Sequence, residues 1–269
     1  MATTDPTVGA GRIAEAFEDA RGRAALMPYL MGGFPDLAAS REVGLAYADG
    51  GADLVELGVP FSDPLADGPV IQAAGTAALR AGATVSGVLA VCETLAARLP
   101  VVLMCYANNV LARGAEDFAR RAASVGASGL IVPDLPHEES EAVLEACDAA
   151  GIALVPLVAP TSPDERLARI GASARGFLYT VSITGTTGER ASGRDAFAPV
   201  VARARAHTAV PVALGFGIGT PEQAVEAAEA GADGVIVGSR LVRAVAEAPE
   251  TPGAVRELVA AFAAALRGE

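Results

Sequence analysis

Three carboxylates lie close together in the segment VELGVPFSDPLADGP, residues 55–69. Glu56 stands in an apolar run with strand character, where burial raises the pKa of a carboxyl group and suits it to general acid/base chemistry. The alternative is a structural carboxylate that accepts hydrogen bonds from backbone amides. Asp63 and Asp67 follow in a proline-rich loop, where aspartate is a common turn residue. A long loop after a buried strand favours function, but these residues alone do not decide whether Asp63 or Asp67 is the partner of Glu56.

Three glycine-rich segments form a second group of candidate residues. They are TGTTGER at 184–190, GFGIG at 215–219 and GSR at 238–240, and each follows a predicted strand. Backbone amides in such turns and at helix N-termini bind phosphate without a cationic side chain. One segment of this kind can be only a tight turn, whereas three at one rim predict a phosphate site.

Aromatic residues cluster at the ends of predicted strands, although they make up only 4% of the chain. Tyr29, Tyr106 and Tyr179 lie in strand segments, and Phe61 and Phe216 lie in adjoining loops. This placement predicts a pocket for a flat apolar group. Core packing remains the alternative for Phe61 and for Tyr106.

The composition excludes several kinds of chemistry. The chain contains no lysine, which rules out a Schiff-base aldolase mechanism, covalently held PLP and a phosphate-binding P-loop lysine. With only His137 and His207, no metal site is predicted. Cys92, Cys105 and Cys147 lack CxxC spacing and are predicted to be buried in a protein from a reducing compartment.

Charge and hydropathy narrow the class of protein further. A formal charge of −12 disfavours binding to nucleic acid. The N-terminal segment MATTDPTVGAGR has neither a basic start nor an apolar core, so no signal peptide is predicted. No apolar run is long enough to span a bilayer, and we expect a cytoplasmic location without membrane contact.

The elements that must position these residues alternate between strand and helix. Eight apolar segments with strand character are separated by stretches with helical periodicity, an arrangement that predicts βαβ units and a parallel sheet covered on both faces. The segments are 25–31, 53–57, 100–106, 129–133, 152–158, 176–182, 211–215 and 234–237. Eight units without a linker favour a closed (β/α)8 barrel as a single α/β domain over residues 1–269, with residues 1–11 flexible.

Helix boundaries can also be predicted from the sequence. Additional helices are predicted at 12–21, within 69–99 and at 252–267. The segments GGADLVEL, VGASGLIV and AGADGVIV each contain a glycine that is predicted to end a helix before the next strand. TPEQ, from Thr220 to Gln223, predicts a capping box at the start of a helix.

The segments VELGVPFSDPLADGP, YTVSITGTTGER, GFGIGTPEQ and VIVGSR, in this order, resemble the tryptophan synthase alpha subunit family. The resemblance extends from about residue 12 to the C-terminus. It implies a (β/α)8 barrel and a lyase that cleaves indole-3-glycerol phosphate to indole and glyceraldehyde 3-phosphate. It also implies a beta subunit that carries PLP in an alpha-beta-beta-alpha heterotetramer, with no cofactor in this chain.

The resemblance also implies roles for individual residues. Glu56 matches the catalytic acid/base, and Asp67, not Asp63, matches the second catalytic carboxylate. The residues that match or adjoin the substrate pocket are Tyr29, Ile71, Met104, Tyr106, Ile131, Asp134 and Tyr179. The residues that match the phosphate site are Gly188, Phe216, Gly217, Ile218, Gly238 and Ser239. The beta subunit is expected to dock on the rim that carries Pro60, Asp63, Asn108 and Pro136.

Two other functions are compatible with parts of the pattern. A second phosphosugar barrel, such as a ribulose-phosphate epimerase-like isomerase, would share the phosphate loops but would not need the pair of Glu56 and Asp67. A non-catalytic subunit that only activates another protein would need neither carboxylate. The presence of both carboxylates favours the lyase.

Overall fold

A computed structural model describes residues 8–181, 194–215, 217–248 and 252–269 of the chain. Across these residues the strands are β1 (Ala25–Met31), β2 (Val55–Gly58), β3 (Val101–Met104), β4 (Gly129–Ile131), β5 (Ala153–Leu154), β6 (Leu157–Val158), β7 (Leu178–Val181), β8 (Val212–Gly215) and β9 (Gly234–Val237). The helices are α1 (Val8–Asp19), α2 (Leu37–Asp49), α3 (Pro69–Arg80), α4 (Val85–Ala96), α5 (Ala107–Leu111), α6 (Ala115–Ser124), α7 (Glu141–Ala150), α8 (Asp164–Ser173), α9 (Arg194–Arg205), α10 (Pro221–Glu229), α11 (Ser239–Glu247) and α12 (Pro252–Arg267), with a 3-10 turn at His137–Glu139.

The strands form one parallel sheet that closes on itself. Its order is β5-β4-β3-β2-β1-β9-β8-β7-β6, and the two end strands are separated in sequence only by Val155 and Pro156. The Val155 N–H donates to the Leu130 carbonyl at 2.8 Å on one side, and the Tyr179 N–H donates to the Pro156 carbonyl at 3.0 Å on the other. The prediction of a (β/α)8 barrel is therefore confirmed.

The predicted fifth strand, 152–158, is wrong in one respect, because the structure divides it into β5 and β6. Pro156 lies between them and has no N–H to donate, so the segment cannot pair along its whole length. The first half pairs with β4 and the second half with β7. The loops that follow β7, β8 and β9 are thus the predicted loops after the sixth, seventh and eighth barrel segments.

Strand alternation decides which side chains point into the barrel. In β2, Val55 and Leu57 belong to the apolar layer between sheet and helices, whereas Leu54 belongs to a separate cluster inside the barrel. Side chains two residues apart share a face of a strand, so Glu56 shares the inward face with Leu54. The fold therefore directs the carboxylate of Glu56 into the barrel.

The first helix closes the N-terminal end of the barrel. α1 begins at Val8, four residues before the predicted start at residue 12, and its Ile13 and Phe17 pack with the interior cluster. The Phe17 and Phe177 rings lie 5.8 Å apart. Gly234 leaves room for this contact, because a Cβ there would lie 3.0 Å from the Phe17 ring. α1 thus covers the end opposite to the loops that carry the candidate site.

The three predicted glycine helix ends are confirmed. Gly51, Gly126 and Gly231 have φ values of +93°, +83° and +98° and follow α2, α6 and α10. Glycine is favoured here because side-chain-bearing residues rarely adopt this left-handed conformation. The capping box at Thr220 and Gln223 is present, and α12 has the predicted bounds.

An aspartate two residues after Gly51 and another two residues after Gly231 stabilise the end of the barrel at which the strands begin. Asp53 accepts hydrogen bonds from the Leu26 N–H at 2.7 Å and from both terminal nitrogens of Arg23 at 2.7 Å. Asp233 accepts from the Val212 N–H at 2.8 Å in the same way. Each aspartate therefore ties the start of its own strand to the start of a neighbouring one.

Within the described ranges, no single helix has the length and apolar character needed to cross a membrane. α3 and α4 meet that test only when taken together, and they are bent by 108° at the break between them.

Candidate active site

Glu56 is the second residue of β2 and has 2% of its surface exposed. It pairs in register with Tyr29 of β1 and Val102 of β3. Its Oε2 atom is buried, and none of the described residues forms a hydrogen bond with it. Burial, followed by the charge of Asp67, raises the pKa of Glu56 from its usual 4.5 to about 8. The side chain is therefore protonated at neutral pH and can act as a general acid.

Asp67 lies half-buried in the loop between β2 and α3, and its charge acts on Glu56. Burial raises the pKa of Asp67 to about 6, and a hydrogen bond from Tyr106 opposes this increase. Asp63 differs, because it is exposed and accepts a hydrogen bond from the Ser62 hydroxyl at 2.6 Å. Of the two aspartates, Asp67 is the one that the structure couples electrostatically to Glu56.

Two buried tyrosines lie near Glu56. Tyr29 is 4% exposed and Tyr179 is 6% exposed. Burial raises the pKa of each phenol well above its usual value; Asp67 adds to this effect at Tyr29, and Glu56 adds to it at Tyr179. Both phenols therefore stay neutral at physiological pH.

Glycines at the ends of neighbouring strands make room for these tyrosine rings. A Cβ on Gly58, the last residue of β2, would overlap the Tyr29 hydroxyl, and a Cβ on Gly215, the last residue of β8, would overlap the Tyr179 hydroxyl. Each tyrosine therefore lies across the end of the adjacent strand, a position that a larger residue at either glycine would block.

Apolar side chains line the space beside the carboxylates. Tyr29 packs in one cluster with the half-buried side chains of Ile71 and Met104, and Met104 also packs against the cluster that contains Ile131 and Tyr179. The structure thus brings together the residues predicted for the indole pocket. Sequence reasoning missed the five other buried members of the first cluster, which are Met31, Ala74, Ala78, Ala83 and Val242. Met31 carried a signal, because it lies two residues after Tyr29 on the same strand face.

Two of the three predicted phosphate loops, those after β8 and β9, lie next to each other because these strands pair. The third, at 184–190, lies outside the described residues. Gly217 is exposed with a φ of +83°, whereas the side chain of Ile218 is buried in the outer apolar layer. Gly238 precedes α11, and Ser239 is the exposed first residue of that helix, whose first N–H groups lack acceptors within the helix. Two predicted phosphate-binding residues, Gly188 and Phe216, lie outside the described residues.

The rim near β2, β3 and β4 carries polar and apolar features. Asp134 is exposed and accepts a hydrogen bond from the Ala107 N–H at 2.8 Å, which fixes the start of α5. Leu65 is 90% exposed and Leu111 is 51% exposed, a feature of this rim that sequence reasoning did not identify. No group of three His, Cys, Asp or Glu side chains within the described part of the chain is placed to hold a metal ion.

Comparisons with known proteins agree with this geometry. A sequence model of the tryptophan synthase alpha chain matches residues 16–267. The chain is 49% identical over 250 residues to the tryptophan synthase alpha chain of Prochlorococcus marinus, covering 92% of this chain and 90% of that protein. It is 50% identical over 242 residues to the corresponding chain of Gloeobacter violaceus, covering 88% of each.

Solved structures show the same relationship. A chain of Mycobacterium tuberculosis tryptophan synthase aligns with a TM-score of 0.88 at 40% identity, covering 95% of this chain and 98% of that one. The tryptophan synthase subunit alpha of Legionella pneumophila aligns with a TM-score of 0.88 at 34% identity, covering 96% and 99%. The fold, the paired carboxylates and these similarities place the chain in the tryptophan synthase alpha chain family.

Proposed function

We propose that Glu56 and Asp67 are the catalytic pair for the reaction of this family. As a member of it, the chain is a lyase of tryptophan biosynthesis that cleaves indole-3-glycerol phosphate. The observation that carries the proposal is the burial of Glu56, whose Oε2 has no hydrogen-bond partner among the described residues and whose pKa is raised to about 8.

The proposed mechanism uses the indole ring as the electron sink. Protonated Glu56 donates its proton to C3 of the indole, which becomes an iminium ion, and the Asp67 carboxylate accepts a hydrogen bond from the indole N–H and stabilises the positive charge. The Glu56 carboxylate then removes the proton of the C3′ hydroxyl. The bond between C3 and C3′ breaks, its electron pair restores the indole, and C3′ becomes the aldehyde of glyceraldehyde 3-phosphate.

The remaining predicted residues would bind the two ends of the substrate. Tyr29, Ile71, Met104, Ile131 and Tyr179 would enclose the indole in the apolar space beside Glu56. The substrate phosphate would bind the backbone amides after β8 and at the N-terminus of α11, which can neutralise an anion without a lysine. Gly188, Phe216, Gly217, Ile218, Gly238 and Ser239 are the residues proposed for this role.

Membership of the family implies a beta-subunit partner. We propose that this partner holds PLP, assembles with the chain as an alpha-beta-beta-alpha heterotetramer in the cytoplasm, and docks on the rim predicted above. The exposed apolar side chains of Leu65 and Leu111 support that position, because they follow the neighbouring strands β2 and β3. Docking there would adjoin the loop that carries Asp67.

The test is indole release from indole-3-glycerol phosphate, measured with and without a beta subunit for the wild type, Glu56→Gln, Asp67→Asn and Asp63→Asn. Indole fluorescence can be followed directly because the chain contains no tryptophan. Each catalytic substitution is expected to lower kcat by at least about 100-fold while KM changes little. Asp63→Asn should retain turnover without the partner and respond less to it. Turnover that persists in Glu56→Gln would rule out the assignment.

A further inference from the structure

The loop that carries Asp67 is held by a tyrosine from the next strand along the sheet. Tyr106 lies two residues after the end of β3 and is 2% exposed. Its hydroxyl accepts a hydrogen bond from the Ala66 N–H at 3.0 Å and donates one to the Asp67 carboxylate. One phenol therefore contacts both the backbone and the side chain of the catalytic loop.

The position of the Tyr106 ring is itself fixed. The ring stacks on Phe61 with 5.2 Å between centroids and 25° between planes. The next residue, Ala107, donates its N–H to Asp134 at 2.8 Å. With the ring held by stacking and the following backbone held by Asp134, the hydroxyl has little freedom to leave the Asp67 loop.

We propose that Tyr106 is the positioning residue for Asp67, and that its hydroxyl holds the carboxylate in place and in its ionised form for the reaction. This inference rests on the proposed catalytic role of Asp67. The family resemblance implies only that Tyr106 adjoins the substrate pocket. The positioning role is additional and depends on the hydroxyl rather than on the ring.

The hydrogen bond from Tyr106 opposes the effect of burial on the pKa of Asp67. Among the described residues, the titratable groups that interact with Asp67 are Glu56 of β2, Tyr29 of β1 and Tyr106 itself. Burial raises the pKa of the Tyr106 phenol above its usual value, so the hydroxyl remains a donor throughout the working pH range. Burial raises the pKa of Asp67 to about 6 and Tyr106 opposes that increase. Removal of the hydroxyl should therefore raise the pKa of Asp67 further.

The experiment is the pH dependence of kcat/KM for indole-3-glycerol phosphate cleavage by Tyr106→Phe in complex with a beta subunit. Phenylalanine keeps the ring and removes only the hydroxyl. A hydrogen bond to a charged group is strong enough for its loss to move the acid limb upward by about one pH unit. Activity should then fall on the order of 10-fold below pH 6 and recover toward pH 8, with a much smaller change in KM.

Gln72→Ala is the matched control for loop anchoring alone. The Gln72 side-chain amide donates to the carbonyl oxygens of Asp67 at 2.8 Å and Pro64 at 3.4 Å, so it holds the same loop through its backbone. This variant should lower kcat at every pH without moving the acid limb. If the profile of Tyr106→Phe also differs from the wild type only by a constant factor, the proposal is wrong.

Two further variants distinguish failure of this proposal from failure of the catalytic role of Asp67 and from a Tyr106→Phe variant that does not fold. If Asp67→Asn remains active, the catalytic role of Asp67 fails, whatever Tyr106 does. If Tyr106→Phe does not fold, Phe61→Leu replaces it, because Phe61 is only half-buried and its ring fixes Tyr106. That variant should move the acid limb in the same direction by a smaller amount, and an unchanged limb would overturn the proposal.

Discussion

Replacing Glu56 by glutamine is expected to stabilise the folded protein at alkaline pH while it removes activity. The folded state holds the pKa of this carboxyl at about 8, against a usual value of 4.5. Between these two pH values the folded state binds more protons than the unfolded state, so the stability contributed by protonated Glu56 is complete below pH 4.5 and is lost as the pH rises to 8. Above that pH, the wild type keeps a buried charge that the variant lacks.

The difference between the two pKa values sets the size of the effect. At about 1.4 kcal/mol per pH unit, ionisation of Glu56 costs the folded state at most about 5 kcal/mol. Glutamine recovers only part of this, because burial of its primary amide carries a desolvation cost of its own. We therefore expect Glu56→Gln to raise the free energy of unfolding by about 2–3 kcal/mol at pH 9 and to lower it by about 2 kcal/mol at pH 4.5, where Glu56 of the wild type is protonated.

Urea unfolding followed by circular dichroism at pH 4.5, 7 and 9 measures the effect. The control is Glu145→Gln, which replaces an exposed glutamate on α7 and should give the same small difference at all three pH values. Equal stability of the wild type and Glu56→Gln at pH 9 would refute the reasoning, and so would a difference that does not change sign on acidification to pH 4.5.

Two other predictions follow from the contacts of the barrel. In Gly215→Ala, the new Cβ would lie 2.6 Å from the Tyr179 ring, so the ring must shift from its present position near Glu56. Steady-state kinetics should show kcat lowered on the order of 10-fold, and an unchanged kcat would contradict this. Asp53→Asn leaves Arg23 largely buried without its carboxylate, so urea unfolding should show a loss of about 2–3 kcal/mol while kcat stays the same.

Much of the site could be predicted because it depends on strand periodicity. Alternation along 53–57 places Glu56 on the same face as Leu54, and burial of that face follows from the apolar pattern of the strand. Pro156 also carried a visible signal, since a proline inside an apolar run opposes continuous pairing. Its effect on the fifth strand was therefore available from the sequence, although the strand was predicted as one segment.

The other features of the site depend on contacts that the periodicity of the sequence does not predict. The choice between Asp63 and Asp67 rests on which way an irregular loop folds, and the hydrogen bonds of Tyr106 join residues that are 40 positions apart. Gly58 and Gly215 look like ordinary strand residues until the tyrosines of the neighbouring strands are placed. These features arise from packing between strands, which local patterns do not encode.

Burial of Glu56, whose Oε2 has no hydrogen-bond partner among the described residues, makes the proposed acid chemistry possible. A donor at this position would stabilise the carboxylate, lower its pKa and leave Glu56 ionised at neutral pH, where it could not protonate the indole ring. Asp67 must instead be ionised to stabilise the iminium ion, and the Tyr106 hydroxyl donates a hydrogen bond that lowers its pKa. Two carboxylates in one pocket therefore reach different protonation states, because Glu56 is buried whereas Asp67 is only half-buried and accepts a hydrogen bond from Tyr106.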